Sequence, residues 1–120
     1  MKFLKCKKCG DIVILASESK KDLCDDAKVE LVPNTSDGAG EKHVPVVTVN
    51  GNNVHVEVGS VIHPMSEVHL IEFIVLETKK GFQVKYLSPT DKPIVDFVAD
   101  DEVVAVYEYC NLHGLWKTEL

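Results

Sequence analysis

The chain has 120 residues, 45% hydrophobic and 27% charged, with a formal net charge of -6 at neutral pH. That length supports one real core, burying about two-thirds of the unfolded surface, and leaves room only for a small appendage beside it. The acidic balance and the absence of arginine exclude nucleic acid as the main partner, because neutralising phosphates takes clustered Lys and Arg. No window approaches the roughly 20 apolar residues of a membrane span. The start Met1-Lys2-Phe3-Leu4-Lys5-Cys6 lacks the apolar run of a signal peptide, so no membrane partner is expected and the cytoplasm is the expected compartment.

In chain order, the first feature is Cys6-Lys7-Lys8-Cys9-Gly10, two thiols separated by two residues, with a glycine that permits a tight turn. Ile12 to Leu15 reads as a short strand, and residues 16–40, rich in Ser, Lys, Asp and Gly, read as a linker. Short β-branched runs bounded by turn residues then recur to the end: Val44 to Val49, Val54 to Val58, Val68 to Glu77, Phe82 to Leu87, Ile94 to Val98, Val103 to Tyr109 and Leu115 to Thr118. Asn50-Gly51-Asn52-Asn53 and Lys79-Lys80-Gly81 are predicted hairpin turns, and residues 88–93 a crossing loop. Val54, Val56 and Val58 fall on one face of their strand, with His55 and Glu57 on the other. The expected fold is all-β, an immunoglobulin-like antiparallel β-sandwich over residues 35–120, preceded by a small N-terminal segment over residues 1–34.

Four cysteines at positions 6, 9, 24 and 110 point, in a reducing compartment, to metal binding or redox chemistry rather than a disulfide framework. Cys110-Asn111-Leu112-His113 follows a strand, which puts a thiolate and an imidazole on one short loop. His63 and His69 lie six residues apart across a loop stiffened by Pro64; in an extended stretch that even spacing puts both on one face. His43 stands at the start of a strand. A lone histidine at a strand edge is most often a solvated or hydrogen-bonded residue, and His55 keeps that reading. The other four sit where the loops of a sandwich gather, and one shares Cys-x-x-His with the distal cysteine.

Four imidazoles and one thiolate exceed the four ligands of structural zinc. A single thiolate among imidazoles matters mainly to a redox metal. Mononuclear non-haem iron with an open sixth position is the best fit. The alternatives are a cupredoxin-like electron carrier, which needs two histidines and a weak axial methionine, and a purely structural metal domain. No methionine follows His113.

At these residues the sequence resembles the superoxide reductases of the desulfoferrodoxin and neelaredoxin family. The resemblance is carried by residues 35–46, 58–65, 67–73 and 108–117, and is most specific in Glu41-Lys42-His43-Val44-Pro45 and Tyr109-Cys110-Asn111-Leu112-His113-Gly114. It implies that His43, His63, His69 and His113 are equatorial ligands of a mononuclear iron cycling between Fe2+ and Fe3+, with Cys110 axial and superoxide binding opposite it. It implies one-electron reduction of superoxide to hydrogen peroxide, with the electron from a donor such as rubredoxin. Glu41 is the carboxylate expected at the sixth position of the ferric centre, helping product leave. Lys42 is expected to strengthen the local field for an anion, its plainer reading being a solvated lysine. A homo-oligomer, dimer or tetramer, is the expected assembly.

The N-terminal segment resembles a desulforedoxin-like domain but departs from its pattern, since Leu23-Cys24-Asp25-Asp26 stands where an adjacent cysteine pair completes an FeS4 site. Three readings stay open. The site is lost, leaving thiols that can oxidise; or Asp25 joins Cys6, Cys9 and Cys24 around zinc or iron; or the match to the cysteine pair is misaligned or metal is shared between chains.

Overall fold

The computed structural model describes residues 1–18, 27–36 and 42–120. The predicted Cys24, Asp25 and Glu41 lie outside the described residues. The chain divides into two compact units, Met1–Val32 and Pro33–Leu120. Among the described residues no helix is long and apolar enough to cross a membrane.

The first unit holds β1 (Phe3–Cys6), β2 (Ile12–Ile14) and β3 (Lys28–Leu31), in an antiparallel sheet of order β2-β1-β3. Two of these strands correct the reading from sequence. Phe3–Cys6 had no recognisable period, and Lys28–Leu31 lay inside the stretch read as linker. Both are too short to show alternation, and each is held by its register with the other, from Phe3 opposite Leu31 to Cys6 opposite Lys28.

The second unit contains β4 (Pro45–Asn50), β5 (Asn53–Val58), β6 (Ile71–Thr78), β7 (Gly81–Tyr86), β8 (Ile94–Val98), β9 (Val103–Cys110) and β10 (Gly114–Glu119). They form two antiparallel sheets of order β10-β9-β6-β7 and β4-β5-β8, the expected sandwich. Its core is built from alternating positions of facing strands: Val54, Val56 and Val58 of β5 and Phe97 of β8 against Ile74 and Leu76 of β6 and Val106 of β9. The β4–β5 hairpin turns at Gly51, whose φ of 61° suits the first central position of a tight hairpin turn, and β6–β7 turns at Lys79-Lys80 as predicted.

β6 starts at Ile71 rather than Val68, a second correction. Residues 68–70 are held instead by the Asn111 side chain, whose Nδ2 donates to Val68 O at 3.0 Å while its Oδ1 accepts from Leu70 N at 3.0 Å. Asn34 belongs with the sandwich, since its N–H donates to Leu115 O and its carbonyl accepts from Lys117 N, each at 2.9 Å.

Candidate metal centre

Three pieces of local structure deliver the five donors: the segment before β4, the loop between β5 and β6, and the β9–β10 hairpin. β9 ends on Cys110, and its register with β10 pairs Cys110 with Gly114, leaving a three-residue loop that carries His113. Gly114 adopts φ 83°, the left-handed conformation such a loop requires before the next strand. After β5, Gly59 at φ 82° turns the chain, and His63 N donates to Val58 O at 3.1 Å, which folds His63 back over the strand end. His43 lies two residues before β4, whose first residue Pro45 accepts a hydrogen bond from Thr118 Oγ1 of β10 at 2.6 Å.

His63 and His69 do not sit on an extended stretch, as the spacing suggested. Six extended residues would separate them by about 20 Å. Their ring centroids are 4.7 Å apart because the loop curls back on itself. Ser66 N donates to His69 O at 2.9 Å and His69 N donates to Ser66 Oγ at 3.2 Å.

The four imidazoles close into a ring. Consecutive centroids lie 4.9 Å apart for His43–His63, 4.7 Å for His63–His69, 5.1 Å for His69–His113 and 4.7 Å for His113–His43, with interplanar angles of 67° to 80°. Cys110, fully buried, brings its Sγ to 3.7 Å from His113 Nδ1, and one donor atom from each of the five residues lies within 4.8 Å of all the others. His55 is elsewhere, on the outer face of β5 with its Nδ1 2.7 Å from Asp96 Oδ1, as its plain reading expected.

The nitrogens that face inward follow from the bonds the rings make. His63 Nδ1 is 2.6 Å from Pro64 O, which leaves Nε2 for the centre; His43 Nε2 and His113 Nδ1 approach to 3.1 Å. His63 Nε2 and His69 Nε2 are buried and meet no hydrogen-bond partner among the described residues. A buried nitrogen without a partner costs free energy unless something satisfies it, and a cation among these atoms would satisfy both at once. The set available to a metal is therefore three Nε2, one Nδ1 and one Sγ.

Electrostatics agree with that use. Burial, reinforced by the neighbouring rings of His43, His69 and His113, pushes the His63 pKa down to about 4, against the opposing hydrogen bond to Pro64. His69 is lowered mainly by burial, then by His113, His43 and Lys42. Both shifts favour the neutral imidazole, the form that ligates. Burial raises the Cys110 thiol pKa, and the Glu108 and Glu72 carboxylates act in the same direction. The backbone N–H groups of Leu112 and His113 act against it by hydrogen bonding to the sulfur. A thiolate there calls for a compensating cation. One sulfur and four nitrogens suit an intermediate redox metal, and iron fits.

Two residues that reasoning from sequence left without a role complete the site. Trp116 stacks on His43 at 4.7 Å between centroids, with planes 16° apart, and its Nε1 donates to His113 O at 3.0 Å. Asn111 ties the His69 loop to the Cys110 loop through the bonds described above, to which its own N–H adds one to Leu70 O at 3.2 Å. The signal for both was their place in the Cys110 to Trp116 segment, next to two donors. Lys42 is exposed and its charge reaches His69. In the first unit, Cys6 and Cys9 come together on one turn, with Cys9 N donating to Cys6 Sγ at 3.4 Å.

Known proteins resemble this chain over most of its length. A desulfoferrodoxin of Nitratidesulfovibrio vulgaris is 44% identical over 117 residues, covering 96% of this chain and 93% of its own. The superoxide reductase from Treponema pallidum superposes with a TM-score of 0.80 at 36% identity, over 98% of this chain and 97% of its own. The superoxide reductase of Giardia intestinalis, a 1Fe-SOR, matches 67% of this chain and 99% of its own, at 34% identity and a TM-score of 0.57. The Desulfoferrodoxin family model matches residues 35–119, the span that contains all five donors. With its sandwich, its ring of four imidazoles around a buried thiol and these relatives, the chain belongs to the desulfoferrodoxin family.

Proposed function

We propose that this protein is a superoxide reductase, converting superoxide to hydrogen peroxide with one external electron and two protons. The observation that carries the reading is the closed ring of His43, His63, His69 and His113 beside Cys110, five donors that would hold an iron and leave it able to take a substrate. Iron, when bound, supplies the one-electron chemistry by passing between its ferrous and ferric states. The chain's own residues hold it, shape its approach and set its charge. The Cys110 sulfur donates electron density, tempered by the N–H groups of Leu112 and His113. Lys42, exposed beside His43, draws the anionic substrate toward the centre in an otherwise acidic protein. Glu41, outside the described residues, would offer its carboxylate to the same centre once an iron held there is ferric, helping product leave.

The electron comes from a small redox protein such as rubredoxin. Support for direct docking is the apolar rim formed by Val61, Ile62, Val68 and Leu112, exposed on the loops that carry His63, His69 and His113. The protein works as a homo-oligomer in the cytoplasm, the compartment that keeps its thiols reduced. The cupredoxin-like alternative calls for an axial methionine, but Met65 Sδ accepts a hydrogen bond from Ile71 N at 3.3 Å. No metal in the N-terminal unit is needed for this chemistry.

Metal analysis of protein purified without added metal tests the reading. Stoichiometric iron is expected, with a thiolate charge-transfer colour that disappears in Cys110→Ser and one peroxide formed per superoxide consumed. Stoichiometric copper with no peroxide formed from superoxide would overturn it.

A further inference from the structure

An iron bound by four thiolates does not fit the N-terminal unit. The chain has four cysteines, and Cys110 stands among the imidazoles of the second unit, so only Cys6, Cys9 and Cys24 remain, one short of the set. The described part of the unit presents a close thiol pair instead. Cys6 closes β1, and the turn that follows is pinned by Gly10 N donating to Cys6 O and Cys6 N donating to Asp11 O, both at 2.9 Å. Gly10 takes φ 82°, a conformation a side chain would strain. The result is that Cys9 N lies 3.4 Å from Cys6 Sγ, and the two side chains hydrogen-bond to each other.

We propose that Cys6 and Cys9 are a redox-active dithiol that hydrogen peroxide closes to a disulfide. The inference rests on the proposed function only for the source of the peroxide, which is the product of that reaction. Accessibility separates this pair from the remaining described thiol: Cys9 is exposed and Cys6 half-buried, whereas Cys110 is fully buried. Hydrogen bonds to the Cys6 sulfur from the Cys9 side chain first, and then from the backbone N–H groups of Cys9, Lys8 and Gly10, favour negative charge on it.

The Cys6 sulfur attacks one peroxide oxygen; the O–O bond breaks, a sulfenic acid forms on Cys6, and the other oxygen leaves as water. The Cys9 sulfur then attacks the Cys6 sulfur; an S–S bond forms, the S–O bond breaks and a second water leaves. Two thiols give up two electrons and two protons, and one peroxide takes them. Dithiol–disulfide exchange with a reducing thiol is the class of reaction that must reopen the pair.

The test uses the full-length, metal-loaded protein with added equimolar hydrogen peroxide, followed by alkylation, digestion and mass mapping. The expected result is two fewer alkylatable thiols per chain and the Cys6 and Cys9 peptides joined with loss of two hydrogens, equally in wild type and Cys24→Ser. Cys9→Ser should stop at a sulfenic acid on Cys6 that dimedone traps. The proposal fails if Cys6 and Cys9 stay alkylatable, or if the disulfide involves Cys24. It also fails if stoichiometric zinc or iron, retained in Cys110→Ser, protects the pair. Because the peroxide is added, loss of superoxide reduction would count against the proposed function and leave this result standing.

Discussion

Trp116 lies nearly parallel to His43, with ring centroids 4.7 Å apart and planes 16° from each other. The same indole donates its Nε1–H to the carbonyl of His113, at 3.0 Å. One side chain therefore braces two donors 70 residues apart in sequence, and Trp116→Ala removes both supports. Iron affinity should fall by roughly 10- to 100-fold, the usual cost of losing the groups that orient metal ligands. Trp116→Phe, which keeps a stacking ring and loses the N–H, should fall between it and wild type. Competition with a chelator measures both. Wild-type affinity in Trp116→Ala would remove Trp116 from the site.

Asn111 joins two loops by bonds to Val68 O and Leu70 N, 43 and 41 residues away in sequence. Asn111→Leu leaves both backbone groups without those partners, at about 1–3 kcal/mol for the part-buried Leu70 N–H and little for the exposed Val68 carbonyl, which water can reach. The expected outcome in urea unfolding is a lower midpoint without a changed slope, together with weaker iron binding because His69 loses its anchor. Asn111→Asp, which keeps the acceptor for Leu70 N, should lose less. Equal stability of all three proteins would show that the loop is held by other contacts.

Lys42→Ala should slow the encounter with superoxide severalfold at low salt and weaken the ionic-strength dependence of the rate, because attraction between opposite charges is screened by salt. Pulse radiolysis reads this directly. Lys42→Arg, which keeps the charge, should retain most of the rate. An unchanged rate at low salt in Lys42→Ala would leave that residue a solvated lysine and no more.

On the outer face of the smaller sheet, Asp96 raises the pKa of His55, with Glu57 Oε2 a further 3.8 Å contact on the other ring nitrogen. A histidine whose folded pKa exceeds its unfolded value adds stability that is fully present below about pH 6.5 and is lost as pH rises through the folded value. The stability difference between wild type and Asp96→Asn should therefore be larger near about pH 5.5 than near about pH 8. Denaturant titrations at the two pH values check it. A difference that grows toward alkaline pH would contradict the pairing.

Local chemistry made much of the sandwich legible. The alternation of Val54, Val56 and Val58 against His55 and Glu57, and the Gly51 and Lys79-Lys80 turns, are properties of a few adjacent residues and appear where expected. Lys28–Leu31 was hidden because four residues carry no period, and its partner β1 is the reason it is a strand. Val68 to Leu70 looked like strand because their apolar character matches β6. The Asn111 side chain takes the backbone groups of Val68 and Leu70.

By itself the sequence determined which side chains could bind a metal. A thiolate and four imidazoles next to turn residues already narrowed the chemistry to a redox metal, whereas the external electron was implied only by the family resemblance. Only the tertiary structure decided how those atoms meet. His43 and His113 are 70 residues apart, and their 3.1 Å approach depends on strand order and register across two sheets, which no local pattern encodes. The sheet packing buries Cys110, and the loop between β5 and β6 leaves His63 Nε2 and His69 Nε2 buried without partners among the described residues. Side-chain identity is local, whereas convergence is set by the packing of the core.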